Sequence, residues 1–323
     1  MSTATGDRPA VPLTGRALAE GALCALVAGA LWGAVFMAPL LLPSLSALDI
    51  TSGRYVAYGL FSALMLVIAG RATWPASDVW WAAAKLTFVG NFVYYALTVL
   101  GVTRAGAPLT TLIIGVLPVT MAIAGNFGRG GAALPWAHLA LPAASILAGL
   151  ALVHIGEHGG TDLVSTSSAT AWLGIAFGVG ALAAWTWYGV RNAAYMSARP
   201  DVSATTMASL QGVTLLPLAL SLLIVSLLAQ ATHPAGDNTL LRFAVISVLV
   251  GIGPTWLAGL LWNRASQLLP AGLLGQLIVF ETLFGLLYAF LWRGAWPNWP
   301  VALGACLLVL GVLIGLHIFR PKA

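Results

Sequence analysis

The sequence predicts an all-α integral membrane protein of ten transmembrane helices, arranged as two inverted five-helix repeats. Three observations predict it. Apolar residues make up 60% of the chain and charged residues only 7%, and the mean hydropathy is +0.94. No water-soluble domain of this size could keep such a surface from solvent. The apolar stretches recur in runs of about 20 residues, the length that crosses a hydrocarbon core about 30 Å thick as a helix, with short polar turns between them. The second half of the chain also repeats the first at a near-constant offset.

Taken in order, the apolar windows place helices near 19 to 42, 50 to 69, 78 to 101, 107 to 127, 134 to 154, 171 to 190, 204 to 230, 242 to 264, 269 to 292 and 299 to 318. Arg8 and Arg16 precede the first run, from about Gly21 to Leu42. That run is too long for a signal-peptide core and more spans follow it, so it is read as the first helix and not as a cleaved segment. Eight tryptophans (Trp74, Trp80, Trp81, Trp136, Trp172, Trp292, Trp296, Trp299) fall at or near helix ends, where an amphipathic indole prefers the headgroup layer.

Loop charges set the orientation. With the N-terminus in the cytoplasm, that side collects Arg8, Arg16, Arg71, Arg129, Arg191, Arg199, Arg264, Arg320 and Lys322. The opposite side receives Arg54, Arg104, Arg242 and Arg293 together with Asp49, Glu157, Asp162 and Asp237. Both termini are therefore expected in the cytoplasm. The net charge of +5 is spread without a basic cluster, so no nucleic-acid partner is expected; the lipid bilayer is. Cys24 and Cys306 lie far apart in apolar stretches and read as small buried hydrophobes. No metal and no cofactor is expected.

In the repeat, Trp32 in AGALWGAVF aligns with Trp185 in ALAAWTWYG, and Asp49 in ALDIT with Asp201 in RPDVSAT. The stretch GVTRAGAPLTTLIIGVLPV aligns with NRASQLLPAGLLGQLIVFE, all at offsets of 152 to 163 residues. Five helices per copy is an odd number, so the second copy enters the membrane from the opposite side. That is the inverted repeat of secondary transporters, whose substrate sites lie near the midplane between the halves. The expected organisation is a cytoplasmic tail over 1–18, a first repeat over 19–155, a non-cytoplasmic linker over 156–170, a second repeat over 171–318 and a tail over 319–323.

These residues resemble the drug/metabolite transporter superfamily of ten-helix carriers, EamA type, over about Gly21 to Leu316. Within it, LPAGLLGQLIVFETLFGLLYAFLW, ALDITSGRYVAYG and VTRAGAPLTTLIIGVLPV look like the YddG-type aromatic amino-acid exporters. The resemblance implies export of aromatic and other neutral amino acids from the cytoplasm by alternating access of the two halves, or of another small metabolite or drug.

An amino-acid site needs acceptors for the ammonium, donors for the carboxylate and a face for the side chain, and aromatic rings supply both packing and cation–π attraction. The candidates are Trp32, Asn91, Tyr94, Tyr95, Trp185, Tyr188, Trp256, Asn263 and Gln276, several of them three or four apart on one helix face. For any one of the aromatics, simple helix packing is an equal reading. Helices four and nine carry the breakers Pro108, Gly115 and Pro118, and Pro270, Gly272 and Gly275, at corresponding places. Such pairs are read as hinges that free backbone groups for substrate, although small residues also serve close packing.

Glu281 is the carboxylate deepest in a span. It is read as a proton carrier or ammonium partner, or as a hydrogen-bonded structural acid on a packed interface, the structural role being the nearer one. Lys85 is read as snorkelling to the headgroups. The cavity is expected between helices one, three, four, six, eight and nine, with five and ten peripheral. An enzyme is not expected, because His138 and His154 stand sixteen residues apart and no HExxH, GxSxG or paired-Asp motif is present. A channel would want a filter loop or a ring of like charges, and neither appears.

Overall fold

The computed structural model describes residues 14–70, 74–127, 135–158, 169–230 and 237–319. Arg8, Arg71, Arg129, Asp162, Arg320, Lys322 and most of the 156–170 linker lie outside them. Ten helices are long and apolar enough to cross a membrane: α1 (Gly15–Leu41), α2 (Ala47–Ala69), α3 (Ser77–Ala105), α4 (Leu109–Phe127), α5 (Trp136–Glu157), α6 (Thr170–Ala198), α7 (Ala204–Leu228), α8 (Leu240–Leu268), α9 (Ala271–Arg293) and α10 (Trp299–Ile318). No strand occurs among the described residues.

Short polar caps start and stop these helices. Ser46 begins α2 as the N-cap of a capping box: its hydroxyl accepts from the Asp49 N–H and the Asp49 carboxylate accepts from the Ser46 N–H. Ser203 opens α7 in the same way, accepting from the Thr206 N–H. The sequence reading began α2 at residue 50 and left Asp49 in a loop. The capping box adds a turn, and Asp49 lies buried with the Ser226 hydroxyl of α7 donating to it.

Helix pairing follows one rule. α2 packs on α7, α5 on α10 and α4 on α9, while α3 packs on α6 and α1 on α8. The pattern is unchanged when each helix is exchanged for the one five places further on, as two halves related by a pseudo-two-fold would require. The irregularities obey the same exchange. A π-helical turn interrupts α3 at Phe88–Val93 and α8 at Gly251–Leu257. α4 breaks at Val116 and α9 at Ile278, each between two helical pieces.

Glycines set the closest approaches. On α1, Gly29 and Gly33 are one turn apart, and α9 lies directly on them. A Cβ at Gly29 would stand 2.8 Å from Phe280 Cβ and 3.0 Å from the Glu281 nitrogen, and one at Gly33 would stand 2.7 Å from the Gly285 nitrogen. Without a hydrophobic force between helices in lipid, this backbone contact is how they hold each other. Cys24 is half-buried, but Cys306 is exposed on the outer surface of α10, where a helix hydrophobic all round meets lipid on its far side. The expectation of two buried cysteines fails there. Lys85 is exposed on α3.

Ion pairs gather at helix ends. Arg264 pairs with Glu20 at 2.6 Å, and Arg199 pairs with Asp78 at 2.8 Å and with Asp201 at 2.9 Å. At the other end of the bundle Arg293 pairs with Glu157 at 3.1 Å. The Arg199 guanidinium holds the Asp201 carboxyl below the ordinary carboxylate range.

Candidate functional site

A cavity of about 400 Å³ enters the bundle from the end where α1 meets α2 and α3 meets α4, and reaches its middle. All four interruptions border it: Gly90 and Asn91 from the π-turn of α3, Pro254 and Thr255 from that of α8, Gly115, Leu117 and Pro118 around the break in α4, and Ile278 at the break in α9. π-turns and broken membrane helices gather where backbone faces a cavity, because only there can freed carbonyls and amides find partners.

The walls are aromatic. Tyr55, Tyr58, Tyr94, Tyr95 and Tyr188 line them, with Trp32 and Trp185 near the base. Trp32 and Trp185, the residues aligned in the two repeats, meet edge to face at 6.3 Å, as positions close to an exchange axis should. Trp262 closes the cluster at 5.3 Å from Trp32 and 5.8 Å from Trp185, and Tyr188 stacks edge-on to Trp185 at 5.4 Å.

Beneath this floor the bundle is sealed by three amides. Asn192 donates to the Asn263 carbonyl at 2.9 Å, Asn263 to Gln211 at 3.4 Å and Gln211 back to Asn192 at 3.2 Å, all of them buried. Ser266 joins as a further acceptor for Asn192. The ring ties α6, α7 and α8 together at the end that also carries the Arg264–Glu20 and Arg199 ion pairs.

Of the residues singled out in the sequence, the cavity brings together Trp32, Asn91, Tyr94, Tyr95, Trp185, Tyr188, Gly115, Pro118 and Glu281. Three of the substrate candidates stand outside its lining. Asn263 belongs to the amide ring. Trp256 turns to α7 and donates to the Ser209 hydroxyl at 3.1 Å, with Phe61 against its ring. Gln276 points away from the cavity into the α9–α10 contact, beside Gly315, and its Oε1 accepts no hydrogen bond.

Pro108 and Pro270 stand at helix starts, Pro108 in the first turn and Pro270 as an N-cap, where a missing N–H costs nothing. Gly272 and Gly275 are closed over by α4: a Cβ at Gly275 would stand 3.1 Å from both the Pro118 carbonyl and the Ala122 nitrogen. Glu281 faces the cavity and has no hydrogen-bond or ion-pair partner among the described residues.

The cavity also holds residues that the sequence reading left out. α2 and α7 contribute to it, through Arg54, Tyr55 and Tyr58 and through Gln211, whereas α5 and α10 contribute none. Arg54 counted as a loop charge in the orientation argument. It lies eight residues past the α2 cap, its guanidinium 4.5 Å over the Tyr55 ring and its Nε buried without a partner.

A ten-helix membrane bundle with a central cavity walled by both halves defines the class: a multi-pass α-helical integral membrane protein. The chain is 37% identical over 310 residues to the inner membrane protein YtfF of Escherichia coli (strain K12), a match that covers 92% of this chain and 95% of the relative. It belongs to the family of that protein. No protein-family model matches the chain. A crystal structure of a protein 17% identical shares the fold, with a TM-score of 0.71 over 94% of this chain and 98% of that one.

Proposed function

We propose that this protein is a secondary transporter of the drug/metabolite transporter superfamily, EamA type, that exports aromatic and other neutral amino acids by alternating access. Kinship with an inner membrane protein and ten apolar helices favour a membrane transporter. The observation that carries the finer reading is the cavity: open at one end, walled by tyrosines, closed at the midplane by a tryptophan pair contributed one from each half. Rings at that spacing suit a planar side chain and the ammonium beside it. The two repeats over 19–155 and 171–318, with both termini cytoplasmic, are part of this proposal; the cavity then opens away from the cytoplasm.

The reading is tested with purified protein in liposomes loaded with labelled phenylalanine, tryptophan or alanine, with and without a pH gradient. Saturable efflux that unlabelled amino acids compete for supports it. Efflux of none of them, from protein that is folded in the membrane, ends it in favour of another small metabolite.

A further inference from the structure

Arg54 and Glu281 line one cavity, carry opposite charge and do not meet. No ion pair within 4.0 Å joins them, and neither pairs with any other charge among the described residues. Arg54 leans on the Tyr55 ring with its Nε buried and unpartnered, and the Glu281 carboxylate accepts no hydrogen bond. Several charged side chains elsewhere in the bundle do find partners. Arg264 holds Glu20, Arg293 holds Glu157, and Asp49 is capped by Ser46 and Ser226.

Two unpaired opposite charges in a membrane are costly separately, and each would gain most from a counter-charge brought to it. A ligand that is itself dipolar supplies both at once. We infer that Arg54 and Glu281 form a split clamp for a zwitterion: the guanidinium takes the carboxylate, the Glu281 carboxylate takes the ammonium, and the tyrosine wall takes the side chain. The inference rests on the amino-acid reading above and names the residues that give it selectivity.

The clamp selects by repulsion as well as by attraction. An amine lacking the carboxylate leaves Arg54 unpaired and faces its positive charge; an acid lacking the ammonium faces Glu281 in the same way. Planar, bidentate guanidinium recognition suits a carboxylate in particular, and an ammonium side chain would keep the charge but lose the fork.

The test is binding to the purified full chain in detergent, read by ligand-induced thermal stabilisation. The probes are phenylalanine, phenethylamine, which lacks the carboxylate, and 3-phenylpropionate, which lacks the ammonium. Wild type should bind phenylalanine roughly tenfold or more tightly than either analogue, the worth of one charge-assisted pair. Arg54→Gln should weaken phenylalanine by a similar factor and leave phenethylamine unchanged or tighter. Glu281→Gln should weaken phenylalanine and leave 3-phenylpropionate unchanged or tighter. Arg54→Lys, which keeps the charge, should retain part of the preference and guards against a folding defect in the Gln variant.

Equal loss for phenylalanine and phenethylamine in Arg54→Gln, or no loss of either, overturns the clamp, as does wild type that binds all three probes alike or none of them. Efflux in liposomes separates the two ideas. Amino-acid efflux together with an Arg54→Gln variant that keeps the wild-type preference for phenylalanine over phenethylamine sinks the clamp and leaves the transport reading standing. The binding pattern without any efflux does the reverse.

Discussion

Gly29→Ala is the sharpest test of how the cavity wall is built. A Cβ at Gly29 would stand 2.8 Å from Phe280 Cβ, 3.0 Å from the Glu281 nitrogen and 3.1 Å from the Phe280 carbonyl carbon. The first of these is about 0.7 Å short of ordinary carbon–carbon contact, near 3.5 Å. Two of the three neighbours are backbone, so no side-chain rotation relieves the clash, and α9 itself must move away from α1 just past its break at Ile278. Forcing a methyl into a packed site of this kind costs about 1–3 kcal/mol.

The same displacement shifts the segment that carries Glu281, so efflux per folded molecule should fall together with stability. Thermal unfolding in detergent, followed by size-exclusion chromatography, measures the first, and liposome efflux the second. Gly253→Ala is the control. A Cβ there meets nothing within 4 Å, so it should melt with wild type. A Gly29→Ala protein with wild-type melting and wild-type efflux would refute the close α1–α9 contact and the route from packing to site.

Three further outcomes are expected. Trp185→Ala and Tyr188→Ala should lower efflux several-fold more than they lower folded protein in the membrane, whereas Gln276→Ala, outside the cavity, should act on melting alone. Asn192→Leu opens the amide ring and leaves Asn263 and Gln211 each short of a partner, at about 1–3 kcal/mol for each group left buried and unsatisfied; a melting temperature equal to wild type would contradict that. Arg199 lowers the folded-state Asp201 carboxyl below its unfolded value, so the pair stabilises at pH above the unfolded value and is lost as pH falls through the lowered one. Melting should accordingly be insensitive to this pair from neutral pH down to about 4, and Asp201→Asn should remove acid sensitivity only below that.

The ten spans were legible because each presents a long apolar run to lipid, and hydropathy measures lipid contact. Their ends were less so. α6 continues to Ala198, past Arg191 and Asn192, where the reading stopped at 190. Asn192 bonds to Asn263, Ser266 and Gln211 inside the bundle and does not mark a loop. Arg54 was missed for a related reason: a cation near a span's end reads as a loop charge, and nothing in a linear window tells a headgroup from a cavity. The sequence puts Asn263 on one helix face with Trp256 and Gly259, and Gln276 among the glycines of the ninth helix, where each can meet a substrate. Packing offers a second solution, and Asn263 took it by pairing with Asn192 and Gln211. Proline and glycine pointed to the right two helices: the α4 break at Val116 falls between Gly115 and Pro118, whereas the α9 break at Ile278 lies three residues past Gly275 with no breaker beside it. The π-turns had only Pro254 as a trace.

On the proposed repeat Arg54 corresponds to Gln211, each eight residues past a serine cap, Ser46 in α2 and Ser203 in α7. Both positions line the cavity, yet they are filled very differently. Gln211 is neutral and bonded into the amide ring at the sealed end; Arg54 is charged and unpaired at the open end. On the proposed alternation, opening the sealed end exchanges three amide–amide bonds for bonds to water, a change that is modest because net hydrogen-bond energies are about 0.5–1.5 kcal/mol. Closing the open end instead carries the guanidinium out of water, several kcal/mol uphill unless an anion comes with it. A substrate carboxylate on Arg54 removes most of that cost, with Glu281 satisfied at the other pole. Closing over a bound zwitterion is then easier than carrying a bare guanidinium out of water, so the residue that selects a zwitterion also lowers the cost of enclosing it.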